Sequence, residues 1–177
     1  MSTLYPRNPV DPHTLIPFDD ALLDAVAQAG RESKRRRHIV RFHKLEEMFQ
    51  LMLNAVEPGS YVRPHRHLDP GKPEVFVALK GSALIVRFDG GGTPLEGVVI
   101  SASGPVRGIE IPTGAWHALL SLESGTVLYE AKEGPYVATT DKDFAAWAPP
   151  ETDPEGGQEF MARLRAHFAD VLPGIGA

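Results

Sequence analysis

The chain has 177 residues, 42% of them hydrophobic and 23% charged, with a formal net charge of -5 and no cysteine. That is the size and composition of one globular domain with a core of its own, too short for a second full domain. An acidic balance excludes the global basic field that gathers nucleic acid or anionic lipid, which leaves a small molecule or another protein as partner; the lack of thiols excludes disulfides, iron-sulfur clusters and a cysteine nucleophile, so any metal must be held by nitrogen and oxygen.

Residues 1–17 carry four prolines and no periodicity, as in an extended arm. The opening MSTLYPRNPVDPHT lacks the basic start and apolar core of a signal peptide, and no run approaches the roughly 20 apolar residues of a membrane span. A soluble cytoplasmic protein is the expectation. FDDALLDAVAQAG then predicts a short helix, capped by Asp19 or Asp20, with Leu22, Leu23 and Val26 as its apolar stripe and Gly30 at its end. The cation-dense residues 31–41 read either as a solvated turn leading into an edge strand or as a site for a phosphate or other anion.

From about residue 38 to residue 133, short runs of Val, Ile, Leu, Phe and Tyr alternate with turn signals such as EPGS, LDPGKP, DGGGTP and PTG, the pattern of an all-β sandwich or barrel. After residue 134 a turn-rich segment is expected to wrap the barrel through Tyr136, Phe144 and Trp147. A last helix over about 155–170 places Phe160, Leu164 and Phe168 on one face, against the barrel or a second subunit. The chain thus divides into an arm (1–17), a helix and basic turn (18–37), a barrel with its wrapping segment (38–150), and a helix and tail (151–177). Val75, Val77 and Leu79 make both faces of their strand apolar, so an N-terminal segment or a second copy is expected to cover it; a homodimer is the expectation.

The candidate site lies in GSYVRPHRHLDPGKPEVFVALKG, residues 59–81. In a strand, Tyr61, Arg63, His65 and His67 share a face, and the two imidazoles stand roughly 6 to 7 Å apart at the backbone, within reach of one ion. Glu74 begins the next apolar run, and His117 follows the turn residues Pro112 and Gly114 in IPTGAWHALL.

These residues resemble the two motifs of the cupin superfamily. Gly59, five residues, His65-Arg66-His67, then Glu74, six residues and Gly81 match the first motif, and Pro112, Gly114 and His117 match the second. The resemblance implies a double-stranded β-helix, or jelly-roll barrel, with short N- and C-terminal helices, and a divalent metal held by His65, His67, Glu74 and His117. The chain departs from the pattern in three places. Six residues separate His67 from Glu74 where the motif has three or four, which leaves Asp69 as a rival acidic ligand; Ser121 stands at the asparagine position; and Val106 stands where a glycine is expected. More narrowly, LNAVEPGSYVRPHRHLDPGKPEVFVALKG, IEIPTGAWHALLSLESGTVLYEAKEGPY and DKDFAAWAP look like the WbuC family of cupin-fold metalloproteins, a family associated with bacterial surface-polysaccharide gene clusters and with no established reaction.

A His₃Glu set suits Fe, Mn, Ni or Zn. With open coordination positions it predicts an isomerase or epimerase, or a dioxygenase, acting on a small polar or carbohydrate-derived substrate; the alternatives are a non-catalytic metal-dependent ligand-binding module and a closed structural zinc. Around the ion, Tyr61, Arg63, Phe76 and Ser121 are candidates for pocket wall or ligand support, with Arg63 placed to meet a substrate anion or to orient Glu74. Trp116 is expected to pack on the opposite face from His117. Glu130 and Lys132 share one face of TVLYEAKEG, as acid and base groups or as a solvated strand face, and neither is given a role. No GxSxG or nucleotide-binding loop accompanies these residues, and no catalytic residue is assigned.

Overall fold

The computed structural model describes residues 15–68, 71–137 and 141–172. Most of the arm expected over residues 1–17, and Asp69, lie outside them. Asp19 caps α1 (Asp20–Glu32) by accepting from the Leu22 backbone N–H at 2.9 Å. The helix runs past Gly30 instead of ending there. Gly30 is buried against Ala55, whose Cβ would lie 2.8 Å from any Cβ added at residue 30, so this glycine permits close packing on the sheet below.

Ten strands follow: β1 (Arg37–Arg41), β2 (Phe49–Val56), β3 (His65–Arg66), β4 (Glu74–Lys80), β5 (Ser82–Phe88), β6 (Pro94–Ser101), β7 (Gly108–Ile111), β8 (Trp116–Ser121), β9 (Thr126–Glu133) and β10 (Asp143–Phe144), with α2 (Pro154–His167) last. They form two five-stranded sheets ordered β1-β2-β9-β4-β7 and β10-β3-β8-β5-β6, and all the described pairings are antiparallel. Consecutive strands change sheet repeatedly, as in a jelly roll. Gly81, with φ +67°, makes the tight passage from β4 to β5, and a Cβ there would also meet Thr126 Oγ1 at 2.5 Å.

The period of two along each strand divides the chain into three apolar layers. Val56, Phe76, Ala78, Ala83, Ile85, Ile111, Leu119 and Leu128 meet between the sheets. Leu53, Ala55 and Val127 point outward from the first sheet and are covered by Leu22, Leu23, Val26 and Ala27 of α1. Leu84, Val86, Phe88, Ala118 and Leu120 point outward from the second and are covered by Phe160, Met161, Leu164 and Phe168 on or just beyond α2. The helices therefore explain why β5 reads as an almost unbroken apolar run: both of its faces are buried. On β4 the outer face is shared differently, since Leu79 packs with α1 whereas Val75 is partly exposed.

The inner face of the first sheet changes character along its length. β2 and β9 present Val56 and Leu128 at one end, but Asn54, Glu130 and Lys132, all buried, toward the other. An apolar plug at one end and buried polar groups at the other make a cavity that opens at the polar end.

Candidate metal centre

Strand pairing assembles the two distant motifs. β3 is only two residues long, yet His65 is the direct partner of His117 on β8 and of Phe144 on β10. The His65 and His117 rings lie 4.5 Å apart between centroids, and His67 lies 5.3 Å from His65. Glu74 comes from the facing sheet, at the first residue of β4. Closing the sandwich thus brings three imidazoles and one carboxylate together, with one donor atom of each lying within 4.8 Å of all the others and all four residues buried.

The backbone determines which ring nitrogens face the centre. Nδ1 of His65 lies 3.0 Å from the Arg63 carbonyl, Nδ1 of His117 lies 3.0 Å from the Ala115 carbonyl, and Nδ1 of His67 contacts the Asp141 carbonyl. A carbonyl only accepts, so each Nδ1 carries the proton and each Nε2 is left with a lone pair. His117 Nε2 lies 3.0 Å from Glu74 Oε2 and His67 Nε2 3.3 Å from Glu74 Oε1. Despite that proximity, His67 Nε2, His117 Nε2 and Glu74 Oε2 are buried without a hydrogen-bond partner among the described residues. Orphaned donors of this kind are costly, and a divalent cation satisfies all of them at once. The cluster therefore fits a divalent metal ion.

Its electrostatics agree. Burial pushes the His65 pKa well below the ordinary imidazole value, with the Lys142 charge adding to the effect, so the ring stays neutral. Burial would raise the Glu74 pKa, but the His117 and His67 imidazoles outweigh it and hold the carboxyl well below the usual range. An unprotonated His65 ring and an ionised Glu74 carboxylate are protonation states that bind metal.

A cavity of about 310 Å³ reaches His65, Glu74 and His117. Phe76 and Leu119 form part of its wall. Its floor carries groups to which the sequence assigned no role. Asn54 Nδ2 donates to Glu130 Oε2 at 2.7 Å, and Lys132 donates to Asp141 Oδ2 at 2.9 Å while lying 3.8 Å from Glu130 Oε1. Burial raises the Glu130 pKa to about 7, the Glu74 charge adding to the effect against Lys132. Burial alone would lower the Lys132 pKa, but Glu130, Glu74 and Asp141 raise it. The alternation of charge along β9 was visible in sequence, but not that the facing sheet covers it.

The remaining candidates sit beside the site, not in it. Only His65 and Arg66 of that segment form a strand, so the regular alternation from Tyr61 to His67 does not hold. The Arg63 guanidinium donates to the Ala145 carbonyl at 2.6 and 3.1 Å instead of orienting Glu74; it is the Arg63 carbonyl that supports His65. Tyr61 donates to the Pro149 carbonyl at 2.8 Å, and burial raises its pKa to about 12. Ser121 does share the inner face of β8 with His117, but its hydroxyl donates to the Glu123 carbonyl at the far end of the strand. Trp116 packs outward, 6.0 Å from Trp147, with the Arg66 guanidinium 4.3 Å above its ring. Asp141 escaped notice because its roles, a backbone carbonyl to His67 and a carboxylate to Lys132, leave no local motif.

Two antiparallel sheets closing over a His₃Glu cluster define a cupin-type jelly roll. A family model described as a domain of unknown function, DUF6016, matches residues 18–100. Among solved structures, the chain is similar to the capsular polysaccharide assembling protein CapF from Staphylococcus aureus at 20% identity and a TM-score of 0.52, covering 60% of this chain and 28% of that one. CapF with the inhibitor 3-isopropenyl-tropolone matches at 20% identity and a TM-score of 0.54, over 64% of this chain and 32% of that one. A cupin superfamily protein from Desulfitobacterium hafniense matches at 12% identity and a TM-score of 0.48, over 68% and 91% of the two chains. This chain thus corresponds to about a third of the CapF chains. At these identities the likeness to the CapF structures shows the fold alone. None of the curated proteins matches. Among the described residues, no helix is long and apolar enough to cross a membrane.

Proposed function

We propose that His65, His67, Glu74 and His117 hold a divalent cation and that the protein is a metal-dependent enzyme for a small polar, carbohydrate-derived substrate. The observation that carries this reading is the set of buried, unpartnered donor atoms opening directly onto a cavity with a polar floor. A closed structural site would need no such cavity. When bound, the ion supplies Lewis-acid polarisation of a substrate oxygen. Glu130 lies on the same wall as a group that takes or returns a proton, Asn54 orients it through the 2.7 Å hydrogen bond, and Lys132 balances its charge. A proton-carrying carboxylate on that floor favours isomerisation or epimerisation over oxygen insertion. The WbuC resemblance, together with the part in capsular polysaccharide assembly named for CapF, points toward surface-polysaccharide metabolism as the setting.

Elemental analysis of protein purified without added metal, combined with calorimetric titration of the stripped protein, tests the reading. Stoichiometric uptake of a divalent ion, lost in His65→Ala and His117→Ala variants that keep the parent circular dichroism, is the expected result. Equal uptake by those variants would overturn it.

A further inference from the structure

The cavity is basic at its mouth although the chain as a whole carries a net charge of -5. Five cationic side chains line it against four carboxylates, a positive surplus before any divalent ion is added. A concave site of that sign concentrates anions. Most of its cations already have partners. Arg37 donates to Glu151 at 2.8 Å and to the Tyr61 carbonyl at 2.7 Å, Arg35 shares Glu151, and Lys132 is held by Asp141.

Two cations have no close partner, although the Lys142 charge is felt by Glu74, Glu130 and Asp141. Arg41 and Lys142 line the cavity and make no hydrogen bond or ion pair with a described residue. Along β1 the period of two turns Arg37, Ile39 and Arg41 toward the cavity, while Val40 packs into the layer beneath α1. Lys142 adjoins Asp141, the residue that contacts both His67 and Lys132, and its charge is close enough to His65 to help keep that ring neutral. The mouth therefore presents two exposed cations, Arg41 from β1 of one sheet and Lys142 directly before β10 of the other, and the floor presents an amide and a carboxyl suited to hydroxyl groups.

Resting on the metal-site reading above, we infer that the ligand of this cavity is a monosaccharide-sized polyol carrying an oxyanion, a carboxylate or a phosphate, which Arg41 and Lys142 receive while its hydroxyl end meets the donor cluster. The size follows from the volume: about 310 Å³ is at the small end of ligand sites and matches a single sugar acid or sugar monophosphate. Cationic side chains that meet an oxyanion make charge-assisted hydrogen bonds, stronger than those to neutral hydroxyls.

Calorimetric titration of metal-loaded protein with glucuronate, glucose 1-phosphate and glucose tests this, alongside Arg41→Met and Lys142→Met. At least one acidic probe should bind about tenfold or more tightly than glucose, weaken with added sodium chloride, and lose about tenfold in affinity in each variant. Preference for glucuronate assigns the carboxylate, and preference for the phosphate ester assigns the phosphate. Binding of glucose as tight as that of both acids, no binding of either acid, or acid binding unchanged in both variants overturns the inference. Metal uptake measured on the same samples is read separately: failure of the parent to take up metal overturns the metal site, whereas Arg41→Met should retain the parent's metal affinity.

Discussion

Glu74→Gln isolates the one negative charge in the donor set while preserving side-chain volume. In the parent, Glu74 is buried, ionised, and 3.0 and 3.3 Å from two imidazole nitrogens. Metal present at about a thousand times its dissociation constant stabilises the folded chain by about 4 kcal/mol, and for a chain of this size each kcal/mol raises the melting temperature by roughly 2 to 4 °C. Replacing the carboxylate by an amide should weaken binding about a hundredfold, so at the same metal concentration the stabilisation falls to about 1.4 kcal/mol. The difference is roughly 5 to 11 °C. In stripped protein the depressed Glu74 pKa means that the ionised carboxylate itself stabilises the fold near neutral pH, so the variant should melt below the parent there too, and the metal-dependent part is read from the shift that metal adds to each protein. Differential scanning fluorimetry with and without metal reads both arms. A metal-induced shift equal in parent and variant would show that Glu74 is not a ligand.

Lys132→Met leaves the buried Asp141 carboxylate without its 2.9 Å partner and should destabilise the stripped protein by about 3 kcal/mol, a drop of roughly 6 to 12 °C in melting temperature; an unchanged melt would refute the ion pair. Glu130 carries a raised pKa of about 7, so its burial adds no penalty below the ordinary carboxylate pKa and a growing one as pH rises toward 7. Stripped Glu130→Gln should therefore melt with the parent near pH 4 and above it near pH 8, by up to about 3 kcal/mol, and parallel melting curves across that range would contradict the assignment. Gly81→Ala should lower stability measurably in chemical denaturation, because its positive φ and the nearby Thr126 both oppose a Cβ. A neutral result would mean that the β4–β5 passage relaxes.

The elements legible in the sequence are those whose cause is local. An aspartate before an apolar stripe specifies α1, and the position of Gly81 follows from a backbone that must turn between two strands. The HxH spacing places two imidazoles on one face of one short segment, and the turn before His117 delivers a third. Gly30 shows where local reasoning fails: it looks like a helix terminator, but Ala55, distant in the chain, is what requires it.

Periodicity assigns residues to a face; it does not reveal what lies opposite that face. Glu130 and Lys132 alternate along β9 as a solvated pair would, and only the second sheet, folded over them, turns them into the buried floor of a cavity. The same holds for the imidazoles. Their residue type and spacing are written in the chain, but the direction of each Nε2 lone pair depends on three backbone carbonyls, one of them contributed by Asp141 from the segment that wraps the sheet. Arg63 points to Ala145 and not to Glu74 because no strand forms before His65 to hold it on the expected face. The composition of the site was set by neighbours in sequence, and its chemistry by neighbours in space, because burial and hydrogen-bond direction arise only when separate segments meet.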